Sequence, residues 1–122
     1  MANPDGECAT ARACNSTKTP MVLSSWATSL AEDIGKYAPD SFKVYQVYMS
    51  NFEHVNMDIW DRIKKSGFKA LALTCDTPLL GKRLNDVRNK FSLPHPWKME
   101  NFAKYNKVGQ ESKVKAKEGS GL

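Results

Sequence analysis

The sequence predicts an α/β protein with a parallel sheet, and three observations support this fold class. Short strand-like segments end at Ser24, Tyr48 and Thr74. These ends lie 24 residues apart (24 to 48) and then 26 residues apart (48 to 74), and each interval contains a helical pattern. Neighbouring parallel strands require a crossover connection, usually helical, and such crossovers are right-handed. The spacing therefore predicts a repeated strand–helix unit.

The first unit begins with a helix signal. Asn3-Pro4, followed by acidic residues, predicts a helix that is capped by Asn3 and runs through Cys14. Residues 15–20 are expected to form a loop. Residues 21–24 contain a brief apolar run, which predicts a short buried strand.

The second unit repeats this order. Ser29 and Glu32 have the spacing of a capping box, which predicts a helix that starts at Ser29 and fades over residues 35–39. Residues 42–48 alternate in polarity and are rich in β-branched and aromatic side chains. This composition is typical of a strand.

A longer helix is predicted in the third unit, with Asn51 as its cap and Gly67 as its end. Apolar residues at helical spacing predict its buried stripe, which consists of Val55, Ile59 and Ile63, widened by Phe52 and Trp60. Residues 69–73 then form a short apolar run between turn signals. Such a run predicts a strand that is buried on both faces.

The third strand leads into residues 73–83, which are rich in side chains with chemical functions. Thr74, Asp76 and Thr77 follow the strand directly. Parallel α/β sheets and barrels place their chemistry at the carboxyl ends of the strands. Arg83 adds a planar guanidinium that suits a carboxylate or a phosphate. We therefore expect the functional site at this edge of the sheet.

The remaining sequence is less regular. Residues 84–91 are compatible with a helical turn, and the prolines within residues 93–97 exclude a regular helix or a central strand. Residues 103–122 contain five lysines and hardly any apolar pattern. This composition predicts a loop or a disordered tail.

Composition restricts the class of protein. The chain has 122 residues, 41% hydrophobic and 25% charged, as expected for one globular domain. Its net charge of +5 is concentrated in the C-terminal stretch, and no basic and aromatic motif favours nucleic-acid binding. The three cysteines form no CxxC or Cys/His cluster, and their odd number argues against a disulfide framework and indicates a reducing compartment. No secretory signal or membrane span is recognisable, and Ser120-Gly121-Leu122 lacks the basic middle residue of a peroxisomal address.

Several motifs in uninterrupted order resemble the FMN-dependent (S)-2-hydroxy-acid oxidases, the family of glycolate oxidase and lactate oxidase. They lie between about residues 3 and 102 and include Leu23-Ser24-Ser25-Trp26-Ala27-Thr28-Ser29, Gln46-Val47-Tyr48 and Leu73-Thr74-Cys75-Asp76-Thr77-Pro78. The resemblance implies an α/β fold, a (β/α)₈ TIM barrel with FMN at the carboxyl ends of its strands. This chain would supply about three parallel βα units, strands 2–4, followed by an irregular basic C-terminal segment. We expect a partial barrel domain over residues 1–102 and a loop or disordered tail over residues 103–122.

The resemblance assigns three residues to cofactor binding. Ser24, Gln46 and Thr74 match residues that hydrogen-bond the flavin in this family. Neutral side chains of this kind provide the donors and acceptors that the polar edge of a flavin needs. Without the resemblance, these three residues would be interpreted as local caps of strands and helices. The resemblance favours flavin binding instead.

Three further residues match the family's substrate-binding side, namely Tyr48, Arg83 and Trp26. Arginine can form paired hydrogen bonds with a substrate carboxylate, and a tyrosine hydroxyl can reach its oxygen atoms. Lys82 stands where the family often has another arginine, and we expect it to be solvated. Asp76 is equally consistent with orienting Tyr48 or Arg83 and with capping the turn.

The resemblance also implies an incomplete catalytic site, with no catalytic residue in this chain. The family's histidine base, a second substrate-binding arginine and a flavin-contacting lysine lie on later strands. His54 and His95 do not fall at the position of the base and are expected at the surface. We therefore expect a fragment of an oxidase that converts a 2-hydroxy acid, such as glycolate or lactate, and O₂ to the 2-oxo acid and H₂O₂. By itself the chain should show little or no turnover.

Two alternatives stay open at this point. One is a non-catalytic truncated isoform or pseudoenzyme that associates with full-length subunits. The other is binding of nucleic acid or anionic lipid through the basic residues 104–117. The family itself implies a small 2-hydroxy acid as ligand, a homo-oligomer and a peroxisomal location. The composition and the short apolar runs predict no nucleic-acid or membrane partner.

Overall fold

The fold is built on a three-stranded parallel sheet with helices between its strands. The computed structural model describes residues 3–76 and 81–105. The elements, in chain order, are α1 (Glu7–Thr17), β1 (Met21–Ser24), α2 (Ala31–Tyr37), β2 (Lys43–Val47), α3 (Glu53–Lys65), β3 (Ala70–Leu73), α4 (Leu84–Arg88) and a 3₁₀ turn (Glu100–Phe102). None of the described helices is long and apolar enough to cross a lipid bilayer.

The strands follow the order β1-β2-β3, and both pairs are parallel. Alternate residues of β1 and β2 are buried on one face, where the core also contains side chains of α1, α2 and α3. The opposite face is open, and Val22 is 62% exposed there. Sequential strand order with the helices on a single face is the arrangement of a barrel, whereas a doubly wound sheet has helices on both faces.

The core between sheet and helices contains the residues that the periodicity predicted. Val55, Ile59 and Ile63 are all buried on α3. The predicted widening of this stripe is wrong, because Phe52 is 59% and Trp60 38% exposed. Only a narrow face of α3 is turned toward the described part of the sheet.

Two glycines determine how α3 packs and where it ends. Gly35 on α2 lies so close to α3 that a Cβ there would stand 2.6 Å from the carbonyl oxygen of Ser66. Gly67 ends α3 as predicted, with φ at +77°, a conformation that glycine adopts without strain. The next amide, of Phe68, then donates to the carbonyl of Ile63 over 3.2 Å.

The predicted start of the first helix is wrong. Asn3 does not cap it; its Oδ1 accepts the amide N–H of Asp5 over 2.9 Å in a preceding turn. Gly6, with φ at +54°, interrupts the helical path, so α1 begins at Glu7. The helix also continues three residues beyond Cys14, to Thr17.

The predicted caps of the other two helices are also wrong. The Ser29 hydroxyl donates to Glu7 over 2.6 Å instead of capping α2, which begins at Ala31. Asn51 is exposed, and α3 begins at Glu53 without a side-chain cap. Neither predicted cap residue therefore caps its helix through its side chain.

The third strand is shorter and less covered than predicted. β3 occupies Ala70–Leu73, and Leu71 and Leu73 are 47% and 54% exposed. The expectation of a strand buried on both faces is therefore wrong. Within the described residues β3 pairs only with β2, so no neighbouring element covers its outer half.

Lys43 is a buried cation that the sequence reading did not single out. It is 1% exposed at the start of β2, and its Nζ donates to the carbonyls of Ala38, Pro39 and Ser41. Burial, with the nearby charge of Lys69, lowers the pKa of its ammonium group. The three carbonyls replace the water that the ammonium group loses.

The last described residues of the chain, 100–105, pack against the helices. Residues 100–105, here called the C-terminal strap, include the buried Asn101, and Tyr105 hydrogen-bonds to Asp58 on α3.

Residues 93–97 form neither helix nor strand, as predicted. The prediction for the tail concerns mainly residues 106–122, and the predicted site residue Thr77 and the motif residue Pro78 belong to 77–80. Both segments lie outside the described residues.

Replacing Tyr45 by phenylalanine should stabilise the fold by about 1 kcal/mol at neutral pH. Tyr45 is fully buried, and its hydroxyl has no hydrogen-bond partner among the described residues. Burial raises the pKa of this hydroxyl to about 12 in the folded protein, compared with 10.0 for an unperturbed tyrosine. Between these two values the hydroxyl loses its proton in the unfolded chain but keeps it in the folded protein. The wild type should therefore lose about 1.4 kcal/mol of stability by pH 11 relative to Tyr45→Phe.

Urea unfolding at pH 7 and pH 11 measures both effects of Tyr45→Phe. Tyr37→Phe is the matched control, because Tyr37 is 46% exposed. If Tyr45→Phe were less stable than wild type at pH 7, the hydroxyl would have a partner that the described residues do not include.

Candidate functional site

Three polar side chains meet at the carboxyl edge of the sheet. Ser24 ends β1 and lies opposite Gln46 in the parallel register. Thr74 follows β3, and its backbone amide donates to the carbonyl of Val47 over 3.0 Å. The Nε2 atom of Gln46 donates to Oγ1 of Thr74 over 2.8 Å. All three residues lie on the open face of the sheet, so the structure brings the predicted cofactor-binding residues together.

Ser25, which sequence reasoning did not select, fixes the orientation of the Gln46 amide. Its backbone N–H and its hydroxyl both point at Oε1 of Gln46, over 3.3 and 3.4 Å. Because a backbone N–H can only donate, the amide oxygen must face Ser25 and the amide nitrogen must face Thr74. Ser25 is fully buried, and the only sequence signal for it was its place between Ser24 and Trp26.

This network leaves donors at the edge of the sheet. Thr74 accepts from Gln46, so its own hydroxyl proton is available to another group. The Ser24 hydroxyl accepts the amide N–H of Trp26 over 3.1 Å, and its proton is available in the same way. Gln46 keeps a second N–H. The three side chains can therefore donate together to a ligand with several acceptor atoms along one edge.

Two aromatic side chains border the polar row. The rings of Trp26 and Tyr48 lie 5.3 Å apart, centre to centre, with an interplanar angle of 34°. Trp26 is 48% exposed and Tyr48 is half-buried. Tyr48 follows β2 on the same face as Gln46, so the aromatic pair and the polar row share one side of the sheet.

Arg83 lies at the start of α4, and its side chain is 70% exposed. Its Nη1 atom is 3.9 Å from Oδ2 of Asp86, which leaves much of the guanidinium accessible. Lys82 is exposed, as predicted. Asp76 is also exposed, and it interacts with another residue. Residues 77–80, which connect Arg83 to β3, lie outside the described residues. Among the described residues, no hydrogen bond, ion pair or ring contact joins Arg83 to Trp26 or Tyr48.

Both histidines are exposed, as predicted. His54 lies on α3, where its ring is 6.0 Å from that of Phe52, and His95 lies in the irregular segment before the strap. Among the described residues, neither histidine hydrogen-bonds to Ser24, Gln46 or Thr74. The polar row and the aromatic pair provide hydrogen-bond donors and aromatic surface at the carboxyl edge.

The loop after β1 is held firmly against α1. The Glu7 carboxylate accepts from the amide and the hydroxyl of Thr28, over 3.1 and 3.0 Å, and from the hydroxyl of Ser29. Burial raises the pKa of Glu7, but these hydrogen bonds outweigh it and keep the pKa below its usual value. The carboxylate is therefore charged at neutral pH and fixes the loop that presents Trp26.

Known proteins are similar to this chain in sequence and in fold. The sequence model of the FMN-dependent dehydrogenase family matches residues 1–120. The 2-hydroxyacid oxidase 1 of Mus musculus is 45% identical over 102 residues, which cover 84% of this chain and 28% of that protein. Glycolate oxidase 3 of Arabidopsis thaliana is 44% identical over 102 residues, 84% of this chain and 27% of its own length.

Solved structures give the same result. A putative lactate oxidase of Pediococcus acidilactici superposes with a TM-score of 0.79 at 30% identity, covering 87% of this chain and 29% of its own. A mandelate oxidase with (S)-2-phenylpropionate has a TM-score of 0.75 at 31% identity and covers 82% and 29%. The predicted fold class, parallel βα units of a partial barrel, is confirmed.

The chain spans less than a third of the length of the relatives it matches. The family match nevertheless extends over nearly the whole chain, and FMN is the cofactor of that family. On the sequence match, the parallel sheet with helices on one face and the shared structure, this chain belongs to the FMN-dependent dehydrogenases.

Proposed function

We propose that this chain provides part of the FMN and substrate site of a (S)-2-hydroxy-acid oxidase. The observation that carries the proposal is the row of Ser24, Gln46 and Thr74 at the carboxyl edge of the sheet, in which Gln46 donates to Thr74 and Ser24 lies opposite Gln46. A flavin ring presents carbonyl oxygens and ring nitrogens along one edge. Three neutral donors in a row fit these acceptors without placing a charge beside the ring.

The aromatic pair and the arginine are proposed to bind the substrate. Trp26 and Tyr48 stand beside the polar row, where they would border a small molecule stacked against the flavin. The Tyr48 hydroxyl would donate to an oxygen of the acid. Arg83 would pair with the carboxylate through its planar fork, because its guanidinium is largely accessible.

In the complete protein, bound FMN would supply the two-electron oxidation of a 2-hydroxy acid to a 2-oxo acid, with O₂ as the final acceptor and H₂O₂ as product. The residues of this chain would bind and orient the reactants. Removing the hydroxyl proton requires a base, and among the described residues neither exposed histidine hydrogen-bonds to the polar row. We therefore propose that the catalytic base comes from another part of the protein. The peroxisomal location implied by the family stays a prediction.

Titration with FMN tests this proposal directly. We expect the purified 122-residue chain to quench flavin fluorescence on binding, while addition of glycolate yields little peroxide. A general base typically contributes 10²- to 10⁴-fold in rate, and the described residues of the site offer none. No binding of FMN would contradict the proposed cofactor site. Peroxide formation at the rate of an intact oxidase would contradict the proposed division of roles.

A further inference from the structure

Asn101 is a buried amide that joins distant parts of the chain. It is 1% exposed, and its Oδ1 atom accepts the backbone N–H of Ala31 over 3.0 Å. Its Nδ2 atom donates to the backbone carbonyl of Ser29 over 3.1 Å. Both functions of one amide are thus used on a single turn that lies about 70 residues earlier in the sequence.

These two bonds supply what the start of α2 lacks. The residue in the N-cap position is Leu30, whose side chain cannot accept a hydrogen bond. Asn101 satisfies the first amide of the helix from outside. Because it also binds the carbonyl of Ser29, it fixes the turn on both sides of Leu30.

The C-terminal strap (residues 100–105) that carries Asn101 is itself anchored. Arg62 on α3 donates through Nη1 to the carbonyl oxygen of Asn101 over 3.1 Å. Tyr105 hydrogen-bonds to Asp58, and the rings of Phe102 and Tyr105 lie 6.4 Å apart. The amide of Asn101 is therefore held in place independently of the turn it binds.

The turn is the end of the loop that carries part of the proposed site. Residues 25–30, here called the β1–α2 loop, include Ser25, which orients Gln46, and Trp26, which contacts Tyr48. Glu7 holds the middle of this loop, at Thr28. Asn101 holds its far end, at the entry to α2.

We propose that Asn101 is a positioning residue that fixes the β1–α2 loop and, through it, Ser25 and Trp26. The consequence for FMN binding depends on the proposed function, whereas the fixing of the loop does not. Asn101 lies on the helix side of the molecule and touches neither Gln46 nor Trp26 directly. Its effect on the site is transmitted through the loop backbone.

Hydrogen exchange of single amides, followed by NMR without FMN, tests the fixing of the loop. Asn101→Leu keeps the size of the side chain but removes both hydrogen bonds. We expect the amides of Trp26, Thr28 and Ala31 to exchange roughly 10-fold faster, as for loss of a helix cap, while those of β2 do not change. Asn101→Asp retains the acceptor for Ala31 and should keep that amide protected.

Asn89→Leu is the matched control, since Asn89 is exposed beyond α4. Unchanged loop exchange in Asn101→Leu, or an equal rise throughout the chain, would overturn the proposal. A second arm measures FMN affinity, which should fall several-fold in Asn101→Leu. Faster loop exchange with unaltered FMN affinity would contradict the positioning role. If the wild type binds no FMN, the proposed function fails, and the exchange data still decide whether Asn101 holds the loop.

Discussion

Replacing Arg62 by methionine is expected to lower the free energy of unfolding by about 2–3 kcal/mol. The Arg62 side chain is only 16% exposed, and its guanidinium binds both oxygens of Glu32 on α2, over 2.5 and 3.0 Å. It also donates to the carbonyl of Asn101. Methionine fills the space but leaves a half-buried carboxylate and a carbonyl without their donor. Urea unfolding at pH 7 measures the loss.

Arg12→Met is the matched control. Arg12 pairs with Asp5, but both side chains are about half exposed, and such surface pairs contribute less than about 1 kcal/mol. Hydrogen bonding from Arg62 holds the pKa of Glu32 below its usual value. The pair of Arg62 and Glu32 therefore stabilises the fold above pH 4.5, and this stabilisation is lost as the pH falls through the lowered pKa. The difference between wild type and Arg62→Met should therefore shrink toward pH 3. Equal effects of Arg62→Met and Arg12→Met would contradict this account.

Replacing Gln46 by leucine is expected to weaken FMN binding about 30-fold, which corresponds to about 2 kcal/mol. The amide of Gln46 joins Ser25 to Thr74 and is the central donor of the row. Leucine removes that donor and leaves the buried Ser25 groups without an acceptor. Quenching of flavin fluorescence measures the affinity.

Thr74→Val should weaken binding less, about 5-fold, because it removes one hydroxyl and keeps the shape of the side chain. Thr10→Val is its matched control, since Thr10 is exposed on α1. If Gln46→Leu and Thr10→Val bound FMN equally well, the row would not be the flavin site. Far-UV circular dichroism should show that all three variants keep the fold.

The order of strands and helices could be predicted because it depends on local patterns. Met21–Ser24 was predicted with its observed bounds, and the stripe Val55, Ile59 and Ile63 is buried as expected. The spacing of apolar residues indicates which face of a helix or strand is buried, and it does so whichever element packs against that face. The burial of β3 could not be predicted in the same way, because it depends on how many neighbours lie beside the strand.

Ser29 and Asn51 both have side chains suited to a helix cap, but neither caps its helix. At Ser29 the reason is a tertiary partner. Ser29 binds Glu7, and the first amide of α2 is bound by Asn101, 70 residues away. A local rule cannot include a partner that is distant in the sequence.

The sequence by itself determined the parallel βα order, because the spacing of strands and helices is a local pattern, and the family, whose motifs pointed to Ser24, Gln46 and Thr74. Only the tertiary structure decided that Gln46 binds Thr74 and Ser25, which groups remain as donors, and that Asn101 binds the first amide of α2. Hydrogen-bond direction and long-range contacts depend on the packing of distant segments. Such information is absent from any local stretch of the chain.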